Sequence, residues 1–199
     1  MKRPLVATLA LFAALATTAS AQAPTAYVVH NLASNVPGLA ANTNPDVVNA
    51  WGLDASATSP WWVADNGTDR SSVLTPTGAA LAIRPTVAGG PTGLVANTTA
   101  ASFPVNGARA SFLFSSEDGV IRAWRGGMTE AAAVADRSGA GAIYKGLAIA
   151  ATPDRLYATD FHNGRVDVFD GSLNLVSAPG AFTDPDLPSG FAPFGIQNV

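Results

Sequence analysis

Short apolar runs separated by polar turns make up most of this sequence. The segment 156–172, LYATDFHNGRVDVFDGS, joins a strand-like run to the alternating run RVDVF through a turn that contains Asn163-Gly164. Alternation with period two is typical of a β-strand with one buried face. Asn-Gly favours a tight hairpin turn because both central residues tolerate positive φ, and Asp118-Gly119 predicts a type I′ turn for the same reason. The pattern therefore predicts strand–turn–strand units.

The same order of elements occurs three times and then begins again. Each unit opens on an apolar strand with a glycine, and these glycines, at positions 52, 93, 146 and 195, are 41, 53 and 49 residues apart. Periods of about 40–50 residues with several short strands are typical of β-propellers, in which each unit is a four-stranded blade. The glycine strand is expected to be innermost, where strands pack closely. An irregular β-sandwich is the alternative.

We therefore predict an all-β chain of four-stranded antiparallel blades that form an incomplete ring. Propellers have about four to eight blades, whereas this sequence has three and a fraction. It is therefore expected to be an N-terminal fragment of a longer protein, because a ring must close. Segment 26–32 could be the strand that closes the ring. The blades are expected at approximately 50–88, 90–135 and 142–182, with the start of the next blade at 191–199.

The N-terminus has the three parts of a signal peptide. Lys2 and Arg3 precede an apolar run at 5–16, and residues 19–21, Ala-Ser-Ala, form a small-x-small cleavage site. The apolar run is too short to span a bilayer. We predict that residues 1–21 are removed and that the protein is secreted, periplasmic or in the cell envelope. Without Lys2 and Arg3 the formal charge of −3 becomes −5, and no basic cluster is left, so neither nucleic acid nor an anionic membrane is an expected partner. No second apolar stretch is long enough to span a bilayer, so no membrane span is expected.

Seven stretches carry a family resemblance: NPDVVNAWGL (44–53), PWWVADNGT (60–68), PTGLVAN (91–97), FLFSSEDGVIRAW (112–124), AIYKGLAIA (142–150), LYATDFHNGRVDVFD (156–170) and GAFTDPDLPSGFAPFGIQNV (180–199). The units resemble NHL and SMP-30-like propellers. More specifically, the chain is similar to a family of uncharacterised secreted bacterial propeller proteins, some of which carry a C-terminal PEP-CTERM sorting signal. One departure is Ala50, where the family pattern has proline. The resemblance implies a full-length chain roughly twice as long, and it implies no reaction.

Polar residues end each second strand and begin the turn that follows. Asp65, Ser116 and Asp160 hold the end position, where they are expected to bond backbone N–H groups. Repeated carboxylates at one rim could instead hold a metal. Glu117 and Asp118 could bind Ca²⁺ through oxygen ligands, although no Asp-x-Asp-x-Asp-Gly loop occurs.

Few other residues suggest catalysis. His162 could act as a general base if Asp160 orients it, although a surface-turn histidine is the simpler interpretation. The sequence has no cysteine, which excludes disulfides and thiolate-bound metals. It also has no Gly-x-Ser-x-Gly elbow, P-loop or His-Glu-x-x-His motif.

The starts of the inner strands supply candidate funnel residues. Lys145, the one lysine outside the signal peptide, precedes an inner strand and could either contact a ligand in the axial funnel or be solvated. Trp61 and Trp62 are expected to face opposite sides of their strand, and both are expected to pack between blades. Three further residues could face the funnel: Asn49, Trp51 and Phe194.

These features favour a binding or interaction module over an enzyme. The ligand would be a small molecule, a glycan or a protein, bound in the funnel or on the rim loops, where function usually lies. No cofactor is predicted apart from the Ca²⁺ that the acids could bind. The alternative is a metal-dependent hydrolase or lyase of the SMP-30/gluconolactonase-like type, and a purely structural matrix protein is a third hypothesis. The predicted ligand-binding residues are Asn49, Trp51, Glu117, Lys145, Asp160 and His162.

Overall fold

The computed structural model describes residues 27–198, so the predicted signal peptide at 1–21 lies outside the described residues. The described chain forms strands joined by turns and two short 3-10 turns, at Asn66–Thr68 and Ser138–Ala140. No described helix is long and apolar enough to cross a membrane. The strands are β1 (Ala33–Ser34), β2 (Asn42–Thr43), β3 (Ala50–Asp54), β4 (Trp61–Asp65), β5 (Arg70–Leu74), β6 (Pro91–Ala96), β7 (Pro104–Val105), β8 (Ala108–Arg109), β9 (Phe112–Ser116), β10 (Val120–Trp124), β11 (Ala132–Asp136), β12 (Tyr144–Ala151), β13 (Asp154–Asp160), β14 (Arg165–Asp170) and β15 (Leu175–Val176).

Three antiparallel sheets follow the three sequence repeats. Blade 1 is β3-β4-β5, blade 2 is β6-β9-β10-β11, and blade 3 is β12-β13-β14-β15. Strands that are consecutive in a repeat are neighbours in its sheet, as in a meander. The predicted all-β fold of antiparallel blades is confirmed. The ends of each blade remain predictions.

Blade 1 has three regular strands instead of the predicted four. The chain beyond β5 still runs beside that strand, because the Leu81 N–H donates to Val73 O (2.8 Å) and the Val87 N–H donates to Asp69 O (2.8 Å). Only isolated bridges form between them. Pro85 lies in this segment and has no N–H to donate, which helps to explain the irregular ladder.

Glycine allows the inner strands of neighbouring blades to approach closely. A Cβ atom added to Gly52 would lie 2.6 Å from the Thr92 carbonyl oxygen, and one added to Gly146 would lie 2.7 Å from that of Phe194. Real Cβ contacts are never this short, so a larger residue would separate the strands. The result confirms that the glycine strands are innermost.

The blades pack through alternating side chains of their second strands. Trp62 on β4 is buried against blade 2, where its ring stacks on Phe112 (centroids 4.2 Å apart) and lies 4.6 Å from Trp124. Leu113 faces the other way and joins the core between blades 2 and 3 with Leu156. The two seams therefore contain most of the buried apolar side chains.

Trp61 corrects the expectation that both tryptophans pack between blades. Its side chain is 44% exposed. Since Trp61 and Trp62 are consecutive in a strand, they face opposite sides of the sheet. Trp61 lies on the face of blade 1 that is turned away from blade 2.

A short hairpin inserted in blade 2 was not foreseen from the repeat. It consists of β7 and β8, between the first and second strands of the blade. Phe103, just before β7, is fully buried in the core between blades 2 and 3, and its N–H donates to Gly171 O of blade 3 (2.6 Å). The insertion therefore ties the two blades together.

The turns between second and third strands are longer than predicted. Asp160 pairs with Arg165, which leaves a four-residue loop in which only Gly164 has positive φ (64°). Gly119 (φ 77°) likewise ends the loop before β10, and Asp118 has no positive φ. The predicted two-residue turns are wrong, because glycine supplies the last, left-handed residue of a longer loop.

The proposed ring-closing segment carries no strand among its described residues, 27–32. Tyr27 and Val29 are exposed, and the first pairing is the two-residue parallel bridge of β1 with β2. The described chain contains no last blade with which this segment could pair. Its role in closing a ring remains a prediction.

Candidate ligand-binding site at the mouth of the axial cleft

The inner strands line a cleft of about 660 Å³. The cleft is bounded by the starts and middles of β3, β6 and β12 and by the chain segment 194–198, the beginning of the fourth repeat. The strand starts lie at one end of the cleft, which we call the mouth. The residues that the sequence placed at the funnel are therefore neighbours in space.

Each inner strand has an irregular register where it meets the mouth. The pairing with the second strand skips the glycine and the residue before it: 51–52 in β3, 92–93 in β6 and 145–146 in β12. Such bulges change the direction of a side chain and are common beside binding sites. The residue before glycine is Trp51, Thr92 or Lys145, and Phe194 holds the same position in the fourth repeat.

Thr92 is structural. It is buried, and its hydroxyl lies 2.9 Å from Tyr144 O and 3.2 Å from Ser115 O. It therefore joins blade 2 to the start of β12 in blade 3. The other three residues at this repeat position, Trp51, Lys145 and Phe194, line the cleft.

A chain of polar contacts links three blades across the mouth. Asn49 Nδ2 donates to Asn66 Oδ1 (2.8 Å), and Asn66 Nδ2 donates to Glu117 Oε2 (3.1 Å). Glu117 Oε1 is paired with the Lys145 ammonium. Asn49 has positive φ (49°), a conformation that asparagine tolerates better than most residues. The amide, carboxylate and ammonium groups are thus held in defined orientations.

The Lys145–Glu117 pair fixes the charge state of the site. The Lys145 side chain is only 12% exposed, so it is not the solvated lysine that was the alternative. Its hydrogen bond to Glu117, assisted by that of Asn66, lowers the pKa of the Glu117 carboxyl below the usual value. At neutral pH the site therefore holds one cation and one anion in contact.

A row of aromatic rings lies beside the polar chain. Lys145 Nζ is 4.8 Å from the centroid of the Trp51 ring, within cation–π range. The Trp51 and Phe194 centroids are 5.5 Å apart, and those of Phe194 and Phe161 are 5.8 Å apart. Phe194 is 49% exposed and Phe161 is 41% exposed. The two phenylalanines offer apolar surface to a ligand at the mouth.

Asp160 and His162 do not belong to this site. Asp160 is fully buried, and its oxygens accept hydrogen bonds from the N–H groups of Ile143 and Asn163 (both 3.2 Å) and from Asn163 Nδ2 (2.6 Å). The carboxylate therefore caps its own turn, which is the role expected for a polar residue at the end of a second strand. His162 is exposed above Gly141 and has no hydrogen bond to Asp160 in the described chain.

The acids at the mouth do not fit a divalent cation. Glu117 is engaged by Lys145 and Asn66, while Asp118 is held by Arg122 through two hydrogen bonds (2.6 and 3.0 Å). Within residues 27–198 no group of three or more His, Asp or Glu side chains could hold a metal. A Ca²⁺ site at Glu117 and Asp118 would have to displace both of these cationic partners.

Two residues of the site were not selected from the sequence. Asn66 begins a turn and Phe161 follows a capping aspartate, so neither belongs to a motif for ligand binding or catalysis. Phe194 was only a funnel candidate, although its position before the repeat glycine, shared with Trp51 and Lys145, is a signal that sequence alone provides. Four of the predicted residues are brought together: Asn49, Trp51, Glu117 and Lys145.

Known structures share this arrangement of blades. A virginiamycin B lyase from Staphylococcus aureus superimposes on 77% of this chain and 46% of its own, with a TM-score of 0.55 and 15% sequence identity. A catalytically inactive form of that lyase, with quinupristin, matches 67% of this chain and 43% of its own, with a TM-score of 0.51 and 14% identity. The fold is a β-propeller. At this level of identity the likeness shows the fold alone.

Sequence comparison adds one distant relative and no family. The "uncharacterized protein R648" of Acanthamoeba polyphaga mimivirus is 29% identical over 195 residues, which cover 89% of this chain and 48% of that protein. No family model matches the chain. The chain thus spans about half the length of the curated relative that it matches.

Proposed function

We propose that this propeller is a binding module that takes a small molecule, or the end of a larger one, at the mouth of its axial cleft. The observation that carries the proposal is the contact set of Asn49, Trp51, Glu117 and Lys145. These residues come from three parts of the sequence, at 49–51, 117 and 145, and from three blades, yet they are linked by contacts at the mouth of the cleft, which Trp51 and Lys145 line.

The cleft has the character of a small-molecule site. Its volume of about 660 Å³ lies within the range of about 300–1,000 Å³ that is common for ligand pockets. Ligand pockets combine apolar surface with a few fixed polar groups. Here Phe194 supplies the apolar surface, and the Lys145–Glu117 pair supplies polar groups that are oriented before a ligand arrives. A preorganised site loses less entropy on binding.

The second part of the proposal concerns the whole protein. We propose a secreted or cell-envelope protein, longer than this chain, from the bacterial propeller family that the sequence resembles. The lyase structures and the viral relative are each about twice the length matched here. Gly195, unlike Gly52 and Gly146, has no described atom within 4 Å of an added Cβ. A further inner strand would fit beside it. Intact-mass analysis of the exported protein is expected to give Gln22 as the first residue, and retention of Met1 would contradict the signal peptide.

A ligand screen tests the binding site. Small polar and aromatic compounds are titrated into the purified natural protein, the longer chain proposed above, while tryptophan fluorescence is followed, because Trp51 lies in the site. Ligands are expected to lose most of their affinity in Lys145→Ala, which removes the cation at the end of the polar chain and leaves Glu117 without its ion pair. Arg155→Ala is the matched control, since Arg155 lies on β13 and bonds its neighbour Asp154 O (2.9 Å) instead of lining the cleft. Equal binding to both variants would place the ligand elsewhere and contradict the proposal.

A metal-dependent hydrolase or lyase is the second candidate, since solved structures with this fold include virginiamycin B lyases. The test is incubation of the chain with quinupristin, with and without a chelator, followed by mass spectrometry. Turnover that is lost on chelation would favour the enzyme. The residues before glycine at the mouth, Trp51, Lys145 and Phe194, are not metal ligands, so we expect no turnover.

A further inference from the structure

The mouth of the cleft carries a selective combination of groups. It has exposed aromatic rings, fixed amide groups, and one cation and one anion that neutralise each other. The following inference rests on the proposed binding function and addresses the class of ligand that such a combination would accept.

The charges at the mouth disfavour a charged ligand. An anion that approached Lys145 would also approach Glu117, which the ammonium contacts directly. A cation would seek the face of Trp51, where the ammonium of Lys145 already lies at 4.8 Å. Asp54, the other charged residue of the cleft lining, is engaged because its oxygens accept hydrogen bonds from the N–H groups of Ala55 (2.7 Å) and Ala96 (2.8 Å). Binding either ion would thus require an existing contact to be broken at a cost in free energy.

The aromatic rings and the polar groups beside them would complement a ligand that has an apolar face and a polar edge. Phe194 and Phe161 present half-exposed rings whose centroids are 5.8 Å apart and whose planes are nearly perpendicular (88°), so they form an apolar corner. Asn49, Asn66 and Glu117 offer amide and carboxylate groups, and such groups can bond hydroxyls through the donor and acceptor positions that they have left. A flat aromatic compound could cover one of the two rings, but it would make no hydrogen bonds to these polar groups.

We infer that the mouth binds an uncharged sugar ring, as part of a neutral glycan. The C–H face of a pyranose would lie on one ring of the corner formed by Phe194 and Phe161, and its apolar edge would contact the other. Its hydroxyls would reach the chain Asn49–Asn66–Glu117–Lys145. In this arrangement Trp51 is a positioning residue, because it holds both the Lys145 ammonium and the Phe194 ring.

The experiment is a binding assay with two sets of oligosaccharides. Neutral cello-, chito-, malto- and xylo-oligosaccharides are compared with acidic polygalacturonate and sialylated chains, and indole derivatives serve as flat non-sugar probes. We expect a neutral glycan to bind, with an affinity that is unchanged between 50 and 500 mM NaCl, because salt screens only charged contacts. Binding that is restricted to acidic glycans, or that weakens several-fold with salt, would overturn the inference.

Two phenylalanines of one segment provide matched variants. Phe194→Ala removes a ring of the site and is expected to weaken glycan binding by about tenfold, the size of one aromatic contact. Phe191→Ala removes a ring that is 68% exposed but is not part of the aromatic row, and it is expected to leave binding within about twofold of wild type. Phe161→Ala gives a second test in another segment, the loop after β13, and equal thermal melting points establish that the variants fold.

The remaining outcomes separate this inference from the proposed function. If only indole derivatives bind, and Lys145→Ala abolishes their binding, the site is real but its ligand is not a sugar. If no probe binds to the folded protein, both the inference and the binding function are overturned. If a neutral glycan binds equally to Phe194→Ala, Phe161→Ala and wild type, the glycan site lies elsewhere and the inference is wrong.

Discussion

Blade 1 and blade 3 have the same order of antiparallel strands, yet the same position of the second strand is exposed in blade 1 and buried in blade 3. Trp61 and Leu156 hold the same position of the second strand, counted back from the aspartate that ends it. Leu156 is fully buried against blade 2, whereas Trp61 is 44% exposed. The side chain at this position points toward the preceding blade in blades 2 and 3, and no blade precedes blade 1 among the described residues. Burial in a propeller is therefore supplied by the neighbouring repeat and not by the blade itself.

The open face of blade 1 is expected to have the largest effect on behaviour. Leu53 (61% exposed) and Trp61 lie on it, and leaving roughly 200 Å² of their apolar surface uncovered forfeits on the order of 5 kcal/mol, a large share of the stability of a domain. Residues 22–199 expressed alone are expected to associate or unfold readily. A longer natural chain is expected to stay monomeric. Size-exclusion chromatography and thermal unfolding of both chains measure this.

Two variants decide whether the open face is responsible. Trp61→Glu is expected to reduce the association of residues 22–199, because a charge on this face opposes apolar contact between copies. Phe191→Glu, an exposed residue of the C-terminal segment, is the control and is expected to have little effect. A monomeric chain of residues 22–199 that melts cooperatively would show that three and a fraction blades suffice.

The second prediction is that removing a smaller side chain, that of Leu156, destabilises the protein more than removing the larger side chain of Trp61. Leu156→Ala is expected to lower the free energy of unfolding by about 2–5 kcal/mol, because it leaves a cavity in a closed seam. Trp61→Ala removes a larger side chain but is expected to cost less than about 1 kcal/mol, since its surface is half in water. Urea unfolding followed by fluorescence, at low protein concentration, measures the difference. Equal losses of unfolding free energy in the two variants would mean that the face of blade 1 that carries Trp61 is covered in solution.

The third prediction uses the glycines that separate the inner strands. Gly52→Ala is expected to cost about 3 kcal/mol or prevent folding, because the new methyl group would meet the backbone of Thr92 and Leu94 at 2.6–2.7 Å. Gly195→Ala, at the same repeat position, is expected to be nearly neutral, since its Cβ would have no described atom within 4 Å. Thermal melting of both variants gives the comparison. A large loss in Gly195→Ala would show that its free side is covered.

The sequence predicted the repeat well because propeller blades are built from local patterns. Period-two alternation and recurrent glycines at 52, 93, 146 and 195 depend on contacts that recur in every blade. Two features occur only once and could not be predicted from an internal repeat. They are the insertion that buries Phe103 and the irregular outer edge of blade 1 near Pro85. The exposure of Trp61 depends on whether another blade packs beside blade 1, which the pattern within a repeat does not report.

The site was predictable only in part, for a similar reason. Lys145 and Trp51 stood out because their position in the repeat aims them at the axis. Asn66 joins the site through a hydrogen bond to Glu117 on another blade, 51 residues away. Asp160 and His162 are residue types that often bind ligands, and both lie next to a turn. The carboxylate of Asp160, however, accepts hydrogen bonds from backbone N–H groups at that turn and is not free to bind a ligand. Single-sequence patterns report periodicity, and they do not report such long-range polar contacts.

The last prediction concerns the aspartates that end the second strands of blades 1 and 3. Asp65 is fully buried, with Oδ2 accepting from the Ser72 N–H (2.8 Å) and Oδ1 lacking a partner in the described chain. Burial, which outweighs the bond to Ser72, raises its pKa from 3.8 to about 6. Asp160 instead accepts three hydrogen bonds and lies 3.5 Å from Arg165 Nη2.

A raised pKa means that the folded protein binds the proton of Asp65 more tightly than the unfolded chain does. The stability from this group is therefore fully present below pH 4 and is lost as the pH rises through 6. Asp65→Asn cannot ionise, so it is expected to melt higher than wild type at pH 7.5, by the equivalent of about 2 kcal/mol, and to match wild type at pH 4. Asp160→Asn is the matched control and is expected to melt lower than wild type at pH 7.5, because it loses the contact with Arg165. Melting curves of the three proteins from pH 4 to 8 test both signs, and a lower melting point for Asp65→Asn at pH 7.5 would show that the buried carboxylate of blade 1 is as well satisfied as that of blade 3.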